Sequence, residues 1–281
     1  MSNLLDEVKH ILSFYGICPK RRMGQNFVVD EEVLSKMVEY ANLDGDETVL
    51  EVGSGLGFLT ERLAESCFKV VAVEIDPRLV KVLKNRLRRY RNVEVICGDV
   101  FRVPLPKFDK VVSTPPYSIS SKLILWLLEV EGLELAALTL QDEFARRLAA
   151  QVGSRDYSRL TVTVYYRAEV EALDKVSRYS FYPTPKVDSR IVLVKPRSPS
   201  FKVRDLALYR ELVKSLFTQR KRRLKKGIIP FLRGVGIDEK EVRKIAESLP
   251  FSGLRVKDLA PEDFALLSDE VVKRVEENLL R

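Results

Sequence analysis

The first two thirds of the chain alternate short apolar, β-branched runs with stretches of helical period. Apolar runs at 48–52, 69–75, 93–97, 108–113 and 134–140 predict strands. Between them, apolar positions recur every three or four residues at 57–66, 78–90, 119–129 and 141–151, the signature of amphipathic helices. Alternation at this pitch predicts parallel βαβ units in a doubly wound, mostly parallel α/β sheet. Two further β-rich runs, Leu160–Arg167 and Val187–Lys195, follow with no helix between them. They predict an antiparallel pair at one edge of the sheet. From 205 onward the period is helical again, at 205–218, 221–232, 238–248 and 261–280. Ahead of the first strand, 2–15 and 30–41 predict helices, joined by a loop that carries Lys20, Arg21 and Arg22.

This pattern divides the chain. Pro196-Arg-Ser-Pro-Ser200 reads as a linker. The expected organisation is a sheet-bearing domain over 1–195 with an N-terminal extension over 1–46, a linker over 196–203 and an all-helical domain over 204–281. At 281 residues the chain is long enough for one large and one small domain.

Composition narrows the chemistry. No run of about 18 apolar residues predicts a membrane span, and the N-terminus lacks the basic-then-apolar layout of a secretory signal. Cys18, Cys67 and Cys97 are scattered, with no CxxC, so a reducing, cytoplasmic setting and no metal centre are expected. His10 is the single histidine. No Ser-His-Asp triad forms unless it takes part, and multi-histidine metal clusters are excluded. A GxxxxGK[ST] phosphate loop is also absent. The remaining chemistry is of a kind that depends on positioning more than on a tuned proton carrier.

Net charge is +8, unevenly distributed. Residues 1–195 carry a net of +1 and residues 196–281 a net of +7. A basic C-terminal third suits a polyanion such as nucleic acid, the alternative being a solvated helical surface. Within it, Gln219–Lys226 holds six cations in eight residues: Arg220, Lys221, Arg222, Arg223, Lys225 and Lys226. Arg146 and Arg147, with Arg155 and Arg159, are further candidates for phosphate contact. The run Arg78–Arg91 holds seven cations and no acid, but Leu79, Val82, Leu83 and Leu87 bury one face, so its charges are read as a solvated face.

The turn after the first strand is the richest motif. Glu51-Val-Gly-Ser-Gly-Leu-Gly57 runs from a strand through Gly53, Gly55 and Gly57 into a helix start. Glycines there permit positive φ and close approach of a ligand to the backbone. A dinucleotide fingerprint places its third glycine one position later, where this chain has Phe58. Taken alone, the glycines also fit a plain tight turn. Glu74, about twenty residues on at the end of the next strand, is placed to accept bonds from ribose hydroxyls. Asp99 ends the third strand, where an adenine amino group is able to donate to it. Singly, Glu74 reads equally well as a helix cap and Asp99 as a turn residue. In order at successive strand ends, with the glycines, they point to a nucleoside-bearing cofactor. The fourth strand ends in Ser113-Thr-Pro-Pro-Tyr117. Two prolines stop a central strand and fix the directions of nearby carbonyls. Those carbonyls and the Thr114 hydroxyl suit an exocyclic amine, and the Tyr117 ring suits a base face; a proline-stiffened connection with Tyr117 in the core is the alternative.

These residues together resemble the class I methyltransferases that act on exocyclic amines with S-adenosylmethionine. Gly24-Gln-Asn-Phe27, Glu51–Gly57, Gly98-Asp99, Phe181-Tyr-Pro-Thr-Pro-Lys-Val-Asp-Ser189 and Phe217-Thr-Gln-Arg-Lys-Arg-Arg-Leu224 fall in the order found in the KsgA-type ribosomal RNA adenine dimethyltransferases. The erythromycin-resistance rRNA methyltransferases are similar too. The resemblance implies the seven-stranded class I methyltransferase sheet and S-adenosylmethionine as cofactor. It implies that Asn26 and Val28 contact the cofactor from the N-terminal loop, that Gly53 lets its methionine part approach the backbone, and that Gln25, Glu51, Gly55, Gly57, Ile75, Val100 and Thr114 also belong to the cofactor site. Glu74 would hold its ribose, and Asp99 its adenine. Thr114, Pro115, Pro116 and Tyr117 would receive the target adenine, with Phe181 on the opposite face. The implied product is dimethyladenosine at two adjacent positions near the 3′ end of small-subunit rRNA, and the implied partner is that rRNA or the immature small subunit. The family habit also implies a monomer.

At the turn the family usually carries Asn-Leu/Ile-Pro-Tyr, and this chain carries Thr114-Pro115-Pro116-Tyr117. A hydroxyl replaces the longer amide, which leaves a single methylation open. Also open are an amino-methyltransferase acting on large-subunit rRNA or tRNA and a non-catalytic ribosome assembly factor.

Overall fold

Buried β-branched runs form a seven-stranded sheet in the computed structural model, which describes residues 3–279. The strands in chain order are β1 Phe27–Val28, β2 Thr48–Val52, β3 Lys69–Glu74, β4 Val93–Cys97, β5 Lys110–Ser113, β6 Leu135–Gln141, β7 Ala168–Val176, β8 Phe181–Tyr182 and β9 Ser189–Pro196. The large sheet runs β4-β3-β2-β5-β6-β9-β7, and β1 pairs with β8 in a separate two-stranded sheet. The pairs from β4 through to β6 are parallel, and β6 and β9 are antiparallel. Val49, Leu50, Val71, Val111 and Ala137 are fully buried, as strands covered on both faces require.

Local capping sets where the helices start. Asp30 accepts from Glu32 N at the head of the helix Glu31–Ala41, which packs on β5 and β6. Asp76 accepts from Arg78 N, and Pro77 occupies the first turn of the helix Pro77–Arg86, which packs on β3 and β4. Val82 and Leu83 are fully buried on its inner face.

The edge differs from expectation. Leu160–Arg167 is not a strand: Arg159–Tyr165 is a helix, and the edge strand is β7, which begins at Ala168. Thr161 Oγ1 accepts from Ser158 N at 3.1 Å and donates to Arg147 O at 2.6 Å, which ties down the first turn. Val162 and Val164 are fully buried on this helix. Capping and burial outweigh the modest helix penalty of Thr and Val.

Two compact units emerge, one of residues 1–145 and 169–196, the other of 146–168 and 197–281. The chain therefore departs from the expected boundary at 195, because 146–168 belongs with the helical unit. Tyr157 and Val162 from that segment sit in one apolar cluster with Leu212, Leu216, Phe231 and Phe264. The helix expected over 221–232 is broken into Leu224–Gly227 and Ile229–Gly234. Pro230 falls in the first turn of the second piece, the helical position that tolerates it. Upstream, Leu224 N donates to Leu254 O at 2.7 Å and Val256 N to Arg222 O at 3.1 Å, so this backbone is extended against 252–257.

Candidate active site

The strand order reverses beside β2, with β3 on one side and β5 on the other. Loops leaving such neighbours diverge and open a crevice past the carboxyl ends. A cleft of about 220 Å³ lies there. Gly53–Gly57, Glu74 and Ile75, Asp99 and Val100, and Thr114 and Pro116 line it from four successive strand ends. Gln25, Asn26 and Val28 close it from the N-terminal loop. Pro115 is buried off the wall, and Tyr117 is half-buried outside the lining.

Phe181 departs from expectation. It is 4% exposed and packs in the core of the sheet-bearing unit, not on the cleft wall. The cause is pairing: β8 lies antiparallel to β1, with Phe181 opposite Val28. Ser180 continues the contact, its carbonyl accepting from Val29 N at 2.8 Å and its hydroxyl donating to Asp30 Oδ2 at 2.7 Å. This motif therefore holds the N-terminal loop in place.

The glycines serve the protein's own packing. Gly53 has φ +76, and a Cβ there would meet Pro116 Cδ at 3.1 Å. Gly55 has φ +57, and its Cβ would meet the Phe27 ring at 3.2 Å. The missing side chains thus let Pro116 and Phe27 close on the turn.

Glu74 is 5% exposed and fixes that turn. Its Oε2 accepts from Gly55 N at 3.0 Å and its Oε1 from Asp76 N at 2.8 Å. Burial pushes its pKa up, against the pull of these backbone N–H groups. Glu51, behind the glycines, is 2% exposed and accepts from Thr60 Oγ1 at 2.5 Å. Burial raises its pKa to about 7. Ser54, also on the cleft wall, is buried, and its hydroxyl acts with Thr60 to favour the charged Glu51 carboxylate. Asp99 Oδ1 accepts from Phe101 N at 3.1 Å.

The sequence reading missed Asp76. Its Oδ2 accepts from Gln25 Nε2 at 3.0 Å and pairs with Arg78 at 2.6 Å, and Lys20 Nζ lies 3.6 Å away. Hydrogen bonds from Arg78 hold its carboxyl well below the usual range. Gln25 also accepts from Lys20 N at 2.7 Å, so the N-terminal loop is bolted to the end of β3. An Asp before a proline at a helix start was the available signal. Phe101, Ser118 and Ile119 also line the cleft and were missed. They carry no motif of their own.

The lining contains three carboxylates, Glu51, Glu74 and Asp99, and no Lys or Arg among the described residues. That electrostatic character suits a cationic ligand and opposes a phosphate-rich one.

The ribosomal RNA adenine dimethylase family matches residues 19–266. The chain belongs to this family. A probable ribosomal RNA small subunit methyltransferase A of Methanosarcina acetivorans is 41% identical over 264 residues, covering 93% of this chain and 97% of that protein. Its counterpart in Pyrococcus abyssi is 40% identical over 275 residues, covering 98% and 97%. Among solved structures, a dimethyladenosine transferase from Plasmodium falciparum is similar at TM-score 0.78 and 31% identity, covering 88% of this chain and 98% of that one. The 23S rRNA methyltransferase ErmE is similar at TM-score 0.68 and 32% identity, covering 88% and 100%. This adenine dimethylase chain is therefore an enzyme, a methyltransferase of the S-adenosylmethionine-dependent class.

The expected phosphate contacts of this dimethylase lie in its helical unit. Lys221, Arg222, Arg223 and Lys226 are exposed, and Lys225 is half-buried. Arg220 differs: its guanidinium donates to Tyr157 O at 2.8 Å and Arg155 O at 2.6 Å, which makes it a brace between segments of that unit. Arg146 is exposed and lies 3.8 Å from Asp156, while Arg147 is half-buried. No described helix is long and apolar enough to cross a membrane. Nor do the described residues hold a His/Cys/Asp/Glu group suited to a metal ion.

Proposed function

We propose that this chain transfers methyl groups from S-adenosylmethionine to the exocyclic 6-amino groups of two adjacent adenosines near the 3′ end of small-subunit rRNA, during ribosome biogenesis. The observation that carries the reading is the cleft itself: three carboxylates and no Lys or Arg at the point where the strand order reverses. A nucleoside bearing a sulfonium and an ammonium group brings positive charge into it, whereas a dinucleotide brings negative charge. Glu51, with its pKa raised to about 7, gains charge when a cation approaches.

S-adenosylmethionine would supply the activated methyl group and leave as S-adenosylhomocysteine, and the proton shed by the methylated amine would pass to water. Glu74 is assigned to its ribose and Asp99 to its adenine, while Gln25, Asn26 and Val28 flank it. The Thr114 hydroxyl and the carbonyls of the proline turn accept the hydrogens of the target amine. That draws those hydrogens out of the ring plane and leaves the nitrogen lone pair facing the cleft. Orientation of this kind contributes about 7–11 kcal/mol to rate acceleration. No covalent bond to the protein is required, in keeping with a lining that holds no Cys or His. The target base leaves its stack to enter, and Tyr117 is the residue assigned to stack on it.

The names of the archaeal relatives support the small subunit as the source of the RNA. The net charge of +7 over 196–281 supports a structured RNA partner. We read the enzyme as a cytoplasmic monomer. Thr114 favours a second reading, in which the shorter side chain permits one methylation only. Methyl transfer to small subunits that lack the modification, followed by mass spectrometry of the nucleosides, tests both. Dimethyladenosine is expected. Monomethyladenosine alone selects the second reading, and no labelled adenosine sinks both.

A further inference from the structure

The cations of Arg78–Arg91 separate into two groups once their partners are known. Arg78 pairs with Asp76. Arg86 is held by Glu7 at 2.8 Å and Glu61 at 2.5 Å, and Arg89 lies 3.6 Å from Glu61. Glu65 accepts from the Tyr90 hydroxyl. The neighbouring acids are thereby engaged. Lys81, Lys84, Arg88 and Arg91 are all exposed and have no acidic partner among the described residues. Lys81 and Lys84 lie three apart on this helix, opposite the buried Leu79, Val82 and Leu83, and Arg88 follows in the 3-10 turn Leu87–Arg89 that continues it. Phe68, 66% exposed, lines a surface hollow with Arg91 and with Lys69 and Glu94, which pair with each other at 2.6 Å.

We propose that Lys81, Lys84, Arg88 and Arg91, with Phe68, form a second rRNA-contact surface on the sheet-bearing unit. Unpaired cations in a row suit successive phosphates of one strand. A solvent-facing aromatic ring in the same hollow as an arginine suits an unstacked base, a combination that a merely solubilising surface does not need. The helix starts where β3 ends, at the cleft, and its chain then runs to the start of β4 at the sheet edge. RNA on this surface therefore approaches the sheet at its β4 edge. The inference rests on rRNA being the substrate.

The test compares wild type with K81A/K84A/R88A/R91A for binding to immature small subunits across a salt series. The variant is expected to bind about tenfold more weakly, and the slope of log Kd against log salt is expected to fall by about 3. Cofactor affinity and Tm should match wild type. Two double variants, K81A/K84A and R88A/R91A, read the same contacts in halves and keep the test valid if the quadruple variant is unstable. F68A should weaken binding with no change in salt slope. An unchanged affinity and slope in the double variants overturns this proposal alone. A wild type that neither binds nor methylates small-subunit rRNA overturns the substrate reading instead.

Discussion

The Tyr117 hydroxyl lies 2.6 Å from the Ser189 hydroxyl, across 72 residues of chain. Tyr117 follows the proline turn after β5, and Ser189 opens β9 and is fully buried. Burial raises the Tyr117 pKa, so the phenol stays protonated and a partner matters to it. Ser189→Ala leaves that hydroxyl unpaired, at a cost of about 1–3 kcal/mol. Methyl transfer should fall about tenfold while the cofactor Kd, measured by calorimetry, is unchanged. Tyr117→Phe combined with Ser189→Ala should be more stable than the sum of the two single changes predicts. Additive losses of stability would show that the contact does not couple the two residues.

Glu74 connects the glycine turn to the start of the next helix, through Gly55 N and Asp76 N. Glu74→Ala removes both acceptors and the proposed ribose contact. Cofactor affinity should drop by at least about tenfold, the scale of one lost charge-assisted hydrogen bond of about 1.5–3 kcal/mol. An unchanged dissociation constant would take Glu74 out of the site.

Glu51 gives the ligand-free enzyme a pH signature. Its folded-state pKa is about 7, against an ordinary value of 4.5. The folded protein therefore holds an extra proton between those values, and stability declines as pH rises through that window. The penalty is absent below about pH 4.5 and fully present above about pH 7, where it amounts to about 3 kcal/mol. Glu51→Gln should flatten this part of the pH–stability curve and raise the Tm at pH 8. Denaturant titrations from pH 4 to 8 measure it. Parallel curves for the two proteins would contradict the assignment.

Within the basic segment, two roles separate. Neutralising Lys221, Arg222, Arg223 and Lys226 together should weaken RNA binding and lower its salt slope, with the Tm unchanged. Arg220→Ala should instead lower the Tm by several degrees, because the carbonyls of Tyr157 and Arg155 lose their donor. Thermal scans and salt-dependent binding distinguish them. A Tm that does not move for Arg220→Ala would return that residue to the phosphate-binding set.

The strands β2 to β6 and their glycine turn were legible in the sequence because each signal is local. A β-branched run and a turn that needs positive φ both act within a few residues. The order of Gly53–Gly57, Glu74, Asp99 and Thr114 along the chain was enough to assemble one cleft wall, since parallel strands bring their carboxyl ends to one edge. What the tertiary structure decided was everything that depends on distant partners. Thr161–Val164 became helix because burial and a link to Arg147 outweigh propensity. Phe181 became core because β8 pairs with β1, and Arg220 became a brace because two carbonyls lie within its reach. Asp76 and Ser189 gained their importance the same way. Spacing along a chain records what one element does alone, while hydrogen bonds and packing across tens of residues are fixed only when the elements meet.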